Sequence, residues 1–398
     1  MPVKLKAQED LKSLMAAYYL EAKNASFNDK KIAWISSGGP VEFLYAMDFI
    51  PIYPENYAAM CGASKMAPDL MLEAEARGYS PDLCSYARTD IRADILQGGP
   101  VMGLPEPDII IAGTNICTTI VKWFQAVAHR KNVPFVSVEM PYLTDGPSDA
   151  AVDFLVSQFE HLKLEIARIA GRPFDDEKFM EVVKLSAEGS KLWGDVLDTA
   201  KRNPSPISAL DAFIHVAPIV TLRGTNTPIE YYTTLLKELN GICASGFDEN
   251  QRIRLMWDNL PIWFKLRRHS QYFASKGAIV VASTYTNSWA AIKEMPAETI
   301  EVYQALARAY LEPYINRNFP DRLSILAAMA ADFKVDGMIM HSNKSCKPYS
   351  IGQYYIKDQF TKATGKPVLV LDADMNDPRS YSDEQAEARM DAFLESID

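Results

Sequence analysis

Apolar residues along this chain fall into two kinds of run, and the order of the runs outlines the fold. Short β-rich stretches stand at "KIAWISS" (Lys31 to Ser37), "IPIYPEN" (Ile50 to Asn56), "DIIIAGTN" (Asp108 to Asn115) and "PFVSVEM" (Pro134 to Met140). Between them lie segments of helical period such as "TTIVKWFQAVAHRKN". Strands alternating with helices predict βαβ units and a parallel sheet. From about Ala150 to Trp263 the strand signals nearly vanish, and "FLVSQFEHLKLEIARIA" and "EYYTTLLKELNGI" show helical spacing, with "RNPSPIS" interrupting them. Strand-like runs return in "GAIVVAST", "VDGMIMHSN" and "KPVLVLDAD". The expected fold class is α/β. It comprises an N-terminal helical segment (1–28), a first parallel-sheet lobe (29–150), a mainly helical connector (151–265) and a second parallel-sheet lobe (266–398).

Length and charge narrow the function classes. A chain of 398 residues, 48% hydrophobic and 23% charged, buries a sizeable core and divides into two or three domains. Its net charge is −10, and no block of Lys and Arg follows a phosphate backbone, so nucleic acid is not an expected partner. The N-terminus mixes charged and apolar residues where a signal peptide would carry an unbroken apolar core, and no later segment reaches membrane-spanning length. The expected location is cytoplasmic, with no membrane partner. In that reducing compartment five cysteines are expected to be free, catalytic or metal-bound rather than paired.

Three of these cysteines share a context. "PDIIIAGTNICTTIVKWFQAVAHRKNVPFVSVEMPYLTDGP" reads as strand, polar loop, Cys117, helix, proline-led strand and acidic loop; "VDGMIMHSNKSCKPYSIGQYYIKDQFTKATGKPVLVLDADMNDP" repeats that order around Cys346. Cys117 falls nine residues after Asp108 and Cys346 ten after Asp336. Ligands collect beyond the carboxyl ends of parallel strands, so both thiols are expected on the functional rims of their lobes. Cys84, after the "GYSP" turn, marks a further loop-to-helix junction, where backbone N–H groups and the helix dipole stabilise an anion. Cys61 and Cys243 lack that context and are read as buried or incidental. Any one thiol alone is more often core filler than ligand; the repeated context raises the odds for these three. No C-x-x-C occurs, which disfavours zinc, and isolated thiolates from distant segments suit an iron–sulfur cluster with one iron lacking a cysteine ligand.

The segments "GYSPDLCSYARTD", "TNICTTIVKW", "HSNKSCKPYS" and "YPEN" resemble the 2-hydroxyacyl-CoA dehydratase and benzoyl-CoA reductase family, in particular the larger (alpha) subunit of the (R)-2-hydroxyacyl-CoA dehydratases. The resemblance runs from the N-terminal helix through "DADMNDPRSYSDEQ". It implies two Rossmann-like lobes with additional helices, and one four-iron four-sulfur cluster held by Cys84, Cys117 and Cys346 with one open iron. It implies an acyl-CoA substrate whose thioester carbonyl accepts one electron, giving a ketyl radical anion that expels the 2-hydroxyl and acidifies the β-proton. Ordinary acid–base catalysis falls short there, because the carbonyl activates only the α-position. Two partners are implied: a smaller homologous cluster-binding subunit forming a heterodimer, and a separate ATP-hydrolysing iron–sulfur activator, since no P-loop is found in this chain.

Three further residues are candidates by position. Ser37 closes "KIAWISSGGP", whose glycines permit close backbone approach, and is assigned to bonding the substrate oxygen; Glu55 in "YPEN" is assigned to proton handling or hydroxyl contact. His341 is a candidate for bonding the thioester or a cluster sulfide, or for supporting the cluster from outside. Against these stand plainer readings, since Ser-Gly-Gly-Pro is often only a turn and an acidic residue beside Asn only a cap. The alternatives are an ATP-dependent benzoyl-CoA-type ring reductase subunit and a non-catalytic iron–sulfur electron-transfer subunit. A Rossmann-type dehydrogenase is disfavoured by the absence of G-x-G-x-x-G after any expected strand.

Overall fold

The computed structural model describes residues 5–96, 98–101, 103–245, 251–292, 296 and 299–397, so the first four residues of the N-terminal segment lie outside the described residues. Two four-stranded sheets organise it. The first contains β1 (Ile32–Ile35), β2 (Ile50–Ile52), β3 (Ile109–Gly113) and β4 (Phe135–Val138), and the second β5 (Ile253–Asp258), β6 (Ala278–Ser283), β7 (Gly337–Asn343) and β8 (Val368–Ala373). The spatial orders are β2-β1-β3-β4 and β6-β5-β7-β8, with every pair parallel. The two lobes therefore repeat one winding. In each, the strand order reverses between the first and third strands, and a crevice opens beyond the carboxyl ends at that point.

Strands buried on both faces read as continuous apolar runs, and "IAWI", "IIIAG" and "IRLMWD" are fully buried. The last of these, β5, lies within the stretch read as helical, so the sheet of the second lobe draws on residues before position 266. Its signal is masked by Arg254, whose guanidinium is buried within the lobe and donates to the carbonyls of Ala200, Arg202 and Phe333. The run from Ile50 to Asn56 also differs from its reading: the strand stops at Ile52, and Pro54 opens a helix, Pro54–Ala63, as proline does at a first helical turn.

Helices Asp149–Ala170, Asp176–Asp198 and Thr299–Leu311 pack beside the first sheet in one apolar cluster. The N-terminal helix Lys6–Lys23 and helices Asn226–Ala244, Phe319–Asp332 and Gln353–Thr364 contribute to another against the second sheet. Helix Asp176–Asp198 belongs to both. It starts at the Asp175 cap, whose side chain accepts from Lys178 N at 2.9 Å, and buries Phe179, Val183 and Ala187 in the first core and Trp193, Val196 and Leu197 in the second.

The lobes meet along a polar seam. Ser85 N donates to Ser345 Oγ at 3.1 Å, and Asn376 Nδ2 donates to the Ala58 carbonyl at 2.8 Å. Arg88, from the first lobe, pairs with Glu75 and with Asp377 of the second. Gly62 is required at this seam, because a Cβ there would stand 2.0 Å from Asn376 Oδ1.

Candidate functional site

Each of the three singled-out cysteines stands immediately before a helix. Cys117 caps helix Thr118–Lys131, its sulfur accepting from Ile120 N at 3.4 Å. Cys84 precedes helix Ser85–Leu96 and its sulfur accepts from the amides of Tyr86 and Ala87. Cys346 precedes the short helix Lys347–Ser350 and accepts from the Tyr349 amide. Cys84 and Cys117 come from the first lobe and Cys346 from the second, and the Ser85–Ser345 bond ties the residues beside Cys84 and Cys346 together.

The thiols act on one another. Burial pushes Cys84 up to about 12, with Cys117 adding to the rise, and pushes Cys117 up to about 11, with Glu55 adding. Cys346 is raised well above the ordinary thiol range by burial, then by Cys84 and Cys117. The backbone amides oppose these shifts only in part. Among the described residues, no three His, Cys, Asp or Glu side chains stand close enough to hold a single metal ion. One zinc-like ion would draw its thiolates to about 3.8 Å from one another, whereas a cube presenting a separate iron to each spreads them wider.

Ser37 and Glu55 are brought into direct contact, and the loop after β1 and the first turn of helix Pro54–Ala63 explain how. Glu55 Oε2 accepts from Ser37 N at 2.6 Å and from Ser37 Oγ at 2.9 Å. Burial raises the Glu55 carboxyl to about 7 despite both bonds. Ser36 does something else: its Oγ accepts from Gly113 N at 2.9 Å and fastens the ends of β1 and β3. Gly38 lets the loops after β1 and β3 close together, since a Cβ there would stand 2.7 Å from Ile116 Cδ1. Ser37 and Glu55 line a cavity of about 150 Å³ shared by both lobes, whose wall includes Asn115 and Ile116, which precede Cys117, and Tyr86 and Tyr349, which follow Cys84 and Cys346.

The sequence from residue 36 to residue 397 matches the family model described as 2-hydroxyglutaryl-CoA dehydratase, D-component. The chain belongs to this family. It is 30% identical to the (R)-2-hydroxyisocaproyl-CoA dehydratase alpha subunit of Clostridioides difficile, covering 100% of this chain and 98% of that one. It is 28% identical to the (R)-phenyllactyl-CoA dehydratase alpha subunit of Clostridium sporogenes, over 98% of this chain and 95% of that one. It is also 30% identical to a benzoyl-CoA reductase subunit of Thauera aromatica, over 93% and 89% of the two chains.

In this D-component family member, His341 stands apart from the Ser37–Glu55 pair. It lies within β7, fully buried, with Nδ1 2.7 Å from the Leu260 carbonyl and its ring packed near Trp257. Nε2 is buried without a partner, and burial lowers the imidazole to about 4. It is not among the residues lining the cavity. Cys61 is fully buried in helix Pro54–Ala63, while Cys243 is half-buried near the end of helix Asn226–Ala244. Trp123 and Phe124 are core residues, and Trp123 Nε1 donates to Asp90 at 3.0 Å.

Sequence reading missed a buried network on the cavity wall. Arg223 Nε donates to Glu42 Oε1 at 3.2 Å, and Arg223 Nη2 donates to the Tyr310 hydroxyl at 2.7 Å. Tyr310 in turn donates to Glu42 Oε2 at 2.6 Å, and Ser186 Oγ donates to Glu42 Oε1 at 2.8 Å. Asn115 donates to the carbonyls of Gly38 and Tyr310, while its Oδ1 is buried without a partner. These residues come from five separate segments, and no spacing in the sequence connects them.

Proposed function

We propose that this chain is the larger subunit of a radical (R)-2-hydroxyacyl-CoA dehydratase, a hydro-lyase that converts 2-hydroxyacyl-CoA to 2-enoyl-CoA. The observation that carries the reading is that three half-buried cysteines from two lobes, near enough for Cys84 and Cys117 to act on Cys346, flank residues lining a cavity that holds the Ser37–Glu55 pair. Those thiols suit a four-iron four-sulfur cluster. Cys117 raises the proton affinity of Cys84, and both raise that of Cys346, a cost that bound iron would reverse by taking the thiolates. Cys84, Cys117 and Cys346 would hold such a cluster, which would supply an electron and a Lewis-acidic iron.

The chain's own residues supply the rest. Ser37 binds the substrate oxygen through Oγ, and Glu55 Oε2 holds or takes the proton that leaves, with a carboxyl poised near neutrality for that exchange. Tyr86, Tyr285, Trp289 and Tyr349 keep bulk water from the reacting carbons. His341, buried within β7, supports the second lobe's rim by its bond to Leu260, which itself lines the cavity. The relatives' names as alpha subunits support a heterodimer with a smaller homologous subunit, and a separate ATP-hydrolysing activator is proposed as the electron source. Free thiols fit a cytoplasmic setting.

The equal identity to the Thauera benzoyl-CoA reductase subunit favours, as the second reading, ring reduction by the same scaffold. Anaerobic purification with the partner subunit, iron and sulfide analysis, and turnover of a panel of 2-hydroxyacyl-CoA esters and benzoyl-CoA with the activator separate the two. Dehydration of hydroxyacyl esters without ring reduction is expected. An iron-free preparation, or reduction of benzoyl-CoA alone, refutes the proposal.

A further inference from the structure

We infer that the cavity selects an uncharged, apolar acyl side chain of about the bulk of a benzene ring or a branched four-carbon chain, and rejects a carboxylated one; this rests on the acyl-CoA reading above. Its volume is about 150 Å³, and a cavity of that size lined by apolar side chains takes a benzene-sized guest. Ser37, Glu55 and Asn115 suit the hydroxyl and thioester, and the other polar lining groups apart from Arg223, such as Ser288, Tyr285 and Tyr314, are neutral. Val220, Ala291, Ile292, Pro313 and Ile315 offer a side chain no hydrogen bond to a carboxylate.

Among the described residues lining the cavity, Arg223 is the one Lys or Arg, and it is already engaged. Glu42, fully buried, pairs with it, the Tyr310 hydroxyl accepts a hydrogen bond from it, and its guanidinium carbon lies 5.8 Å from the Trp289 ring centroid. A carboxylated acyl chain would bring a further anion to this single guanidinium, with Glu55 close by as well. Two buried carboxylates sharing one cation repel, and the second remains unpaired away from water. An apolar chain meets no such penalty.

The test is anaerobic isothermal titration of the full chain with its partner subunit, using unreactive saturated thioesters: 4-methylpentanoyl-CoA, glutaryl-CoA, and free CoA as reference. The 4-methylpentanoyl ester is expected to bind at least about 30-fold tighter than the glutaryl ester, which gains nothing over free CoA. Equal binding, or a preference for glutaryl-CoA, overturns the inference. Glu42→Gln is expected to release Arg223 and improve glutaryl-CoA binding at least fivefold, roughly the effect of one recovered charge-assisted bond, with no gain for 4-methylpentanoyl-CoA; an unchanged ratio counts against Glu42 as the blocking group. Should that variant not fold, Trp289→Ala is expected to shift preference toward bulkier apolar chains while leaving glutaryl-CoA binding unimproved, and improved glutaryl-CoA binding there overturns the inference. An apolar binding preference without dehydration of any hydroxyacyl ester refutes the dehydratase reading while sustaining this one, and failure of every CoA ester to bind refutes both.

Discussion

Glu55→Gln separates function from stability. The parent carboxyl is half-buried, accepts two bonds from Ser37, and is raised from 4.5 to about 7, chiefly by burial. A carboxyl whose folded value lies above its unfolded value favours the neutral form. The parent therefore loses stability as pH rises from about 4.5 to about 7, and no further beyond. At 1.36 kcal/mol per pH unit the loss is at most about 3 kcal/mol, and partial exposure reduces it to about 1–2 kcal/mol. The amide keeps the shape and an acceptor for Ser37 but never ionises, so the variant is expected to match the parent at pH 4.5 and exceed it by that amount at pH 8. Turnover should fall by about 10²–10⁴, the usual contribution of a positioned proton-transfer group. Urea unfolding of the anaerobic complex at both pH values, with initial rates on a 2-hydroxyacyl-CoA ester, measures both. A variant with a pH-independent stability difference, or with parental turnover, refutes the assignment of Glu55.

Cys346→Ala is expected to abolish iron and sulfide retention while Cys243→Ala leaves both intact, as read by elemental analysis and the visible absorption of the purified complex. Arg223→Met leaves Glu42 buried without its cation and should cost about 3–5 kcal/mol in denaturant unfolding; adding Glu42→Gln to it should recover part of that loss. His215, which contacts the Tyr231 hydroxyl at 2.6 Å, is lowered by burial from 6.5 to about 4, so its contribution is full above 6.5 and lost as pH falls toward 4. His215→Asn should flatten the acid limb of stability by about 1.4 kcal/mol per pH unit in that window. Gly62→Ala should destabilise the seam by about 1–3 kcal/mol, read as a lowered unfolding midpoint, because the new methyl meets Asn376.

What the sequence disclosed follows from how each feature is encoded. Strands such as Ile109–Gly113 are legible because burial on both faces demands an unbroken apolar run. Ile253–Asp258 is no less central, yet its Arg254 is satisfied by carbonyls distant in sequence, and nothing local announces them. The cysteines were visible because the two lobes repeat one winding, which puts Cys117 and Cys346 at equivalent rims. The Ser37–Glu55 contact was approachable, since both residues follow adjacent strands. Glu42, Arg223 and Tyr310 were not, because a buried charge network is specified only once the chain has brought its remote members together.

Helix Asp176–Asp198 makes the lobes mechanically one. At 1.5 Å per residue its 23 residues form a rod of about 35 Å, with one half embedded in each core. Melting either lobe strips the anchorage from half of that rod, and a helix cannot surrender one half without fraying the other. The protein is therefore built to come apart in a single concerted event rather than lobe by lobe, and hydrogen exchange should find the amides of Phe179 and Trp193 opening together.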